Sequence, residues 1–198
     1  MVIFLGRVEA FWAAIIARLK GLQMTFSLEE KVVYPGYGVA KISRIVEKKI
    51  AGSSALFYEL VFLHRDMTIL VPQNNVMSVG IRKLSSTQHI DDIFKSLAEP
   101  VAEQAPDACP CNWNKRNKEY QFKLRSGNIQ EICKIYRDLR SIEKRKELSF
   151  GERSLLQQTE LLLVEEIALV RDMLEEKATE ELRAMLPQRH MGHMVQQL

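Results

Sequence analysis

Apolar positions change period partway along this 198-residue chain. Between Phe26 and Leu84 they come in short runs of β-branched and aromatic residues. After His89 they recur at three- and four-residue steps. The first pattern predicts strands at Lys31–Tyr34, Val39–Glu47, Ala55–Phe62 and Met67–Pro72, with short strand or turn pieces at Val76–Val79 and Ile81–Lys83. Pro72 closes its strand because proline has no N–H to give a ladder. Pro35-Gly36-Tyr37-Gly38 reads as a tight turn, since Pro35 fixes φ and the glycines accept positive φ. Lys48–Ser54 reads as a loop tip. Five short strands within about 60 residues suggest a small barrel or a strongly bent sheet.

The second pattern predicts helices. His89–Ala98 puts Ile90, Ile93, Phe94 and Leu97 on one face. Pro100, Pro106 and Pro110 then mark a linker that reaches Asn112. A helix over Trp113–Leu124 stops at Ser126-Gly127. A second, over Asn128–Arg145, aligns Ile129, Ile132, Cys133, Tyr136 and Leu139. Ser149-Phe150-Gly151-Glu152 has the Ser-x-x-Glu spacing of a capping box and starts a third helix. That helix is expected to send Leu155, Leu156, Leu161, Leu162, Val164, Ile167, Ala168 and Val170 into the core. Thr179-Glu180-Glu181 starts a last short helix, ended by Pro187. The fold class is therefore α+β with two domains: a small β-domain, then a compact domain of four to five helices. The expected boundaries are 24–88 for the β-domain, 89–112 for a short helix and linker, 113–187 for the helical domain and 188–198 for a loose tail.

Residues 1–23 stand apart. The apolar run Ala10–Ala17 is flanked by Arg7, Glu9, Arg18 and Lys20. It falls far short of the about 20 apolar residues of a membrane span, and it lacks a signal-peptide cleavage pattern. Met24-Thr25-Phe26-Ser27 reads as a natural start, which makes the first 23 residues an extension or an amphipathic helix.

Composition is that of a globular protein, with 46% hydrophobic and 27% charged residues. The formal charge of +3 is too small to argue for nucleic acid, but its distribution is uneven. Residues 113–153 carry 12 basic and 6 acidic side chains, and residues 154–187 carry 3 and 8. Three cysteines, Cys109, Cys111 and Cys133, have no framework spacing and fit a reducing compartment. Cys109-Pro110-Cys111 with His190 and His193 is a poor zinc pattern. Asp91-Asp92 reads as charge near a helix N-terminus. His64 reads as a solvated turn residue. No phosphate-binding Gly-Lys-Ser/Thr loop and no supported nucleophile–base set occurs, so no enzyme is expected.

Several stretches, in order, carry a resemblance over about 160 residues. They are Val32-Val33-Tyr34-Pro35-x-x-Gly38, Thr68-Ile69-Leu70-Val71-Pro72, Asn112-Trp113-x-Lys115-Arg116, Lys123-Leu124-x-Ser126-Gly127-Asn128, Arg137-Asp138-Leu139 and Leu148-Ser149-x-Gly151-Glu152-Arg153. Together they resemble the CarD/CdnL family of bacterial RNA-polymerase-binding transcription regulators. The resemblance implies a Tudor- or SH3-like N-terminal module that binds a lobe of the polymerase β subunit, similar to the module of the transcription-repair coupling factor. That factor's ATPase motor has no counterpart here. The resemblance further implies a helical domain that meets promoter DNA at the upstream edge of the transcription bubble. Carried over residue by residue, it puts Lys48, Met67, Ile69 and Leu70 at the polymerase contact. It assigns Trp113 as a minor-groove wedge and Lys115, Arg116, Lys118 and Arg153 as cations facing DNA. Leu70 and Lys48 stand where basic relatives carry their contacts on the strand and in the loop, and Asn117 replaces a common aromatic. No cofactor, metal, catalytic residue, small-molecule substrate or membrane is implied, and the expected location is the cytoplasm, on polymerase at the nucleoid. The rival readings are a free-standing DNA-binding regulator and a membrane-associated adaptor acting through residues 1–23.

Overall fold

The computed structural model describes residues 26–50, 53–98 and 113–186. The expectations for residues 1–23, for the proline-rich linker with Cys109 and Cys111, and for the tail with His190 and His193 fall outside the described residues. The chain divides into two units, one built on the sheet and one on the helices.

In the first unit, β1 (Lys31–Tyr34), β2 (Gly38–Ile50), β3 (Ser53–Phe62), β4 (Thr68–Pro72) and β5 (Arg82–Lys83) form one sheet in the order β4-β3-β2-β1-β5. The β2–β3 and β3–β4 pairs are antiparallel. Tyr58, Leu60 and Phe62 alternate along β3 and enter one core with Phe26, Val32, Ala40, Ile42, Val71, Val76 and Ile81. The Tyr58 hydroxyl accepts from the Phe26 N–H and the Gln73 amide, each at 3.2 Å, which satisfies the one polar atom of that ring.

The register of β2 shifts between Ile42 and Arg44. Ser43 Oγ donates to Glu59 Oε1 at 2.6 Å and Arg44 Nε donates to the same oxygen at 3.0 Å. Those two bonds, Ser43 first, hold the Glu59 carboxyl below its ordinary range. The bulge is thus fixed by side chains as well as by backbone.

Two sequence expectations change here. Strand enters the expected loop Lys48–Ser54 from both sides: β2 runs on to Ile50 and β3 begins at Ser53, so Lys48 pairs with Ala55 inside the sheet. Val76–Val79 forms one helical turn, α1, after a 3-10 turn at Gln73–Asn75. Gly80 ends it in the left-handed region at φ 81°. The β-branched residues suggested extended backbone, but burying Val76 in the sheet core outweighs that preference.

The second unit holds α2 (Thr87–Ala98), α3 (Trp113–Arg125), α4 (Ile129–Glu143), α5 (Phe150–Arg171) and α6 (Glu175–Ala184). The turn Pro35–Gly38 groups with this unit too. Gly127, at φ +68°, leaves room for Pro35: a Cβ there would lie 2.9 Å from the proline ring. Central α5 packs on α4, α6 and α2. Ile90, Ile93, Phe94 and Leu97 of α2 enter the same core as Tyr136, Leu139, Leu163 and Ile167, so α2 is an integral helix of this unit rather than part of a linker.

Arg171 ties three helices together, donating to Asp91 and Glu181 at 2.7 Å each, with its guanidinium 4.4 Å from the Phe94 ring centroid. Asp91 and Asp92 therefore answer to side chains, Arg171 and Lys95, rather than to a helix terminus. Burial pushes the Cys133 thiol up to about 12, which leaves it a small apolar residue of the core.

Two helical expectations also shift. Leu161 is exposed and Leu163 is buried in its place. The last helix begins at Glu175, four residues before Thr179, because Asp172 caps α5 in the left-handed region and Leu174 starts α6 without a side-chain cap.

Glu160 is an acid-sensitive point of this unit. Burial alone would raise its pKa. Hydrogen bonds from Arg183 at 2.7 and 3.0 Å, the charge of Arg140 at 3.0 Å and the Tyr136 hydroxyl at 3.1 Å outweigh it and hold the carboxyl below its ordinary range. A lowered folded-state pKa stabilises fully above the unfolded value of about 4.3 and is lost as pH falls through the folded value. Glu160→Gln should thus lower the thermal midpoint at pH 7 and shrink its drop between about pH 4 and pH 2. Circular dichroism melts across that range check both effects; parallel curves for the two proteins would count against them.

Candidate functional site

The sheet carries the first group of candidate residues. β4 is an edge strand, paired with β3 alone among the described strands. Its other backbone edge offers N–H and C=O groups to an added strand. Met67 and Ile69 lean on the sheet core, half-buried, while Leu70 alternates to the other face and is exposed. Lys48 is exposed on β2. It stands opposite Ala55, two residues beyond Phe57, where β4 makes its last pairing through Pro72. Counted along β3 from Glu59, which faces Leu70, that is about 13 Å further on at ~3.3 Å per residue. Lys48 and Leu70 therefore belong to separate parts of the sheet surface.

The helical unit carries the second group. Trp113 opens α3 and is half-buried, packed on the edge of the helical core. Its indole lies on Gly151 in the first turn of α5. A Cβ on Gly151 would come within 2.9 Å of Trp113 Cζ2, so only glycine admits the ring at this spacing. The Arg116 guanidinium sits 5.6 Å from the indole centroid, in cation–π range.

Arg116 is held in turn. Its Nη2 donates to Glu152 Oε1 at 2.6 Å, and Glu152 is buried. The other Glu152 oxygen accepts from the Ser149 N–H at 2.9 Å and the Ser149 hydroxyl at 2.8 Å, while Ser149 Oγ accepts from the Glu152 N–H. Burial works against the Glu152 charge. The Ser149 bonds, with Lys146 and Arg116 nearby, overcome it and keep the carboxyl below its ordinary range. The capping box that starts α5 is thus also the far end of the Trp113 seat.

The remaining cations divide. Lys115 and Lys118 are exposed on α3 and make no hydrogen bond or ion pair with a described residue. Arg153 is exposed and lies 3.3 Å from the still more exposed Glu147, a pair too solvated to hold it firmly. Arg116, expected to face DNA, spends its charge on Glu152 and the indole.

Sequence reasoning passed over Phe150 and Phe122. Phe150 is 90% exposed at the first position of α5, next to the glycine under Trp113, and Phe122 is 76% exposed on α3. Phe150 was visible only as a letter within the capping box. Phe122 could have been found from helical phase, since it falls opposite buried Tyr120 and Leu124.

Comparison with known proteins gives matches to two families. Residues 26–85 match the family described as CarD-like/TRCF RID domain, and residues 92–183 match CarD, C-terminal domain. A protein of Bacillus subtilis (strain 168) that bears the designation transcription factor YdeB is 26% identical over 155 residues, which is 77% of this chain and 96% of that one. Among solved structures, the 72-residue N-terminal domain of Myxococcus xanthus CarD is 30% identical, covering 30% of this chain and 79% of that domain at a TM-score of 0.27.

Proposed function

The chain belongs to the CarD/CdnL family of transcription regulators, and from that premise we propose that it binds the β lobe of RNA polymerase through the β4 edge and promoter DNA at the upstream bubble edge through the start of α3. The observation that carries the reading is the seat of Trp113. An indole held between Gly151 and Arg116, at the head of a helix whose Lys115 and Lys118 have no partner among the described residues, is an aromatic wedge with phosphate-binding side chains in reach. Arg153 adds a further cation from α5, and Arg116 acts by holding the indole.

The mechanism follows from joining two weak contacts in one chain. Docking on polymerase brings the helical unit to the promoter at high effective concentration, so modest DNA affinity suffices. A wedge that fits distorted DNA better than regular duplex then shifts the population toward the open complex.

Capture by purified polymerase, and by an isolated β lobe, tests the tether. Leu70→Asp should weaken capture about tenfold, the effect of losing one buried leucine contact. Lys48→Glu, acting from the projecting part of β2, should cost at most about fivefold, as an exposed ion pair does. If both variants keep their circular dichroism and bind the lobe as the parent does, β4 is not the docking edge.

A further inference from the structure

α3 carries five cations, and they fall into two sets. Arg116 pairs with Glu152, and Lys123 pairs with Glu119 and Glu131. Lys115, Lys118 and Arg125 have no partner among the described residues. At 100° per residue these three fall within about 80° of one another, and Phe122 lies inside the same arc. The stripe is about 15 Å long at 1.5 Å per residue. Phe122 is 76% exposed within it, on the side of the helix away from buried Tyr120 and Leu124.

We infer that this outer face of α3 is a binding track for unpaired DNA, with Phe122 as a base-stacking platform and Lys115, Lys118 and Arg125 as its phosphate contacts. Three unopposed positive charges in a row select a polyanion. Regular duplex supplies the phosphates, but its bases are stacked on each other and leave Phe122 in water. A single strand supplies both phosphates and free base faces, the pairing that single-strand binders use. The track rests on the promoter reading and deepens it: the bubble edge is where duplex and unpaired strand meet, and Trp113 and Phe122 would address one each.

The test is fluorescence anisotropy of the full chain with a labelled 12-nucleotide thymidine strand and with a blunt duplex of equal length, at low salt. Phe122→Ala should weaken single-strand binding about tenfold and leave duplex binding unchanged, while Phe122→Trp should restore it. Arg125→Ala should flatten the salt dependence for the single strand. The inference is overturned if Phe122→Ala affects both DNAs alike or neither, or if the parent chain binds no single strand. It is also overturned if Phe122→Ala abolishes only binding to anionic phosphatidylglycerol vesicles. Failure of the promoter reading looks different: there, Trp113→Ala leaves open-complex lifetime unchanged whatever Phe122 does.

Discussion

Trp113→Ala shortens the lifetime of open promoter complexes about tenfold or more while polymerase captures the chain as before. Unstacking a base step costs a few kcal/mol, and a buried indole offsets it. Losing about 1.4 kcal/mol of that offset is already a factor of ten. Capture is spared because the proposed docking edge, β4, belongs to the sheet unit. The substitution also removes packing on Gly151, but Trp113 is only half-buried at the margin of a core that holds Tyr136, Leu139, Leu163 and Ile167, so the helices stay folded. Trp113→Phe retains part of the lifetime, since a smaller ring still stacks. Promoter-complex decay after competitor addition, with circular dichroism of each variant, measures both sides. A helical unit that melts on Trp113→Ala would identify the indole as a core residue and remove the wedge.

The second large effect is on stability. Glu152→Ala destabilises the helical unit by about 3 kcal/mol, the low end for stripping one partner from a buried ion pair, since Arg116 keeps some contact with water. The loss includes the bonds that Glu152 accepts from the Ser149 N–H and hydroxyl, the N3 half of the capping box. Glu152→Gln keeps a side chain able to accept from Ser149 but loses the charge, and falls between the parent and Glu152→Ala. Urea unfolding read by circular dichroism gives the stability. Emission in a Trp12→Phe background reports Trp113 alone, because the chain has two tryptophans. Freed from its hold on Glu152, Arg116 no longer fixes the indole, so the emission of folded Glu152→Ala shifts toward that of solvated tryptophan. An unshifted spectrum with unchanged stability would mean that the Glu152–Arg116 contact does not hold the ring.

Much of this was readable in the chain because local chemistry and tertiary packing agree. The capping box at Ser149 and Glu152 forms as spaced. Asn128 caps α4 by accepting from the Gln130 N–H at 2.9 Å. The apolar face of α4 is buried as its period requires. The misses lie where one signal is ambiguous. Three successive leucines, 161 to 163, cannot share a helix face, and only the phase set by Leu155 and Leu156 puts 162 and 163 inward. Leu174 has no side-chain oxygen for a cap, so the start of α6 is marked in sequence by the acidic pair Glu175 and Glu176 alone. Lys48 stands in a run of polar residues that reads as a loop, and only its pairing with β3 makes it strand. At the candidate site, sequence could mark Arg116 as a cation near Trp113. It could not tell that the guanidinium turns inward, because that depends on a carboxylate 36 residues away.

The approach of Trp113 to Gly151 also has an evolutionary reading. With 2.9 Å between the indole and the place where a Cβ would stand, position 151 cannot gain a side chain while the indole stays in place. A side chain at 151 displaces the ring, and a smaller residue at 113 leaves the glycine with no reason to persist in the first turn of a helix, where alanine is the better helix former. Lineages that keep the indole should keep the glycine, and those that lose one should lose the other soon after, so the pair should be inherited as a single character.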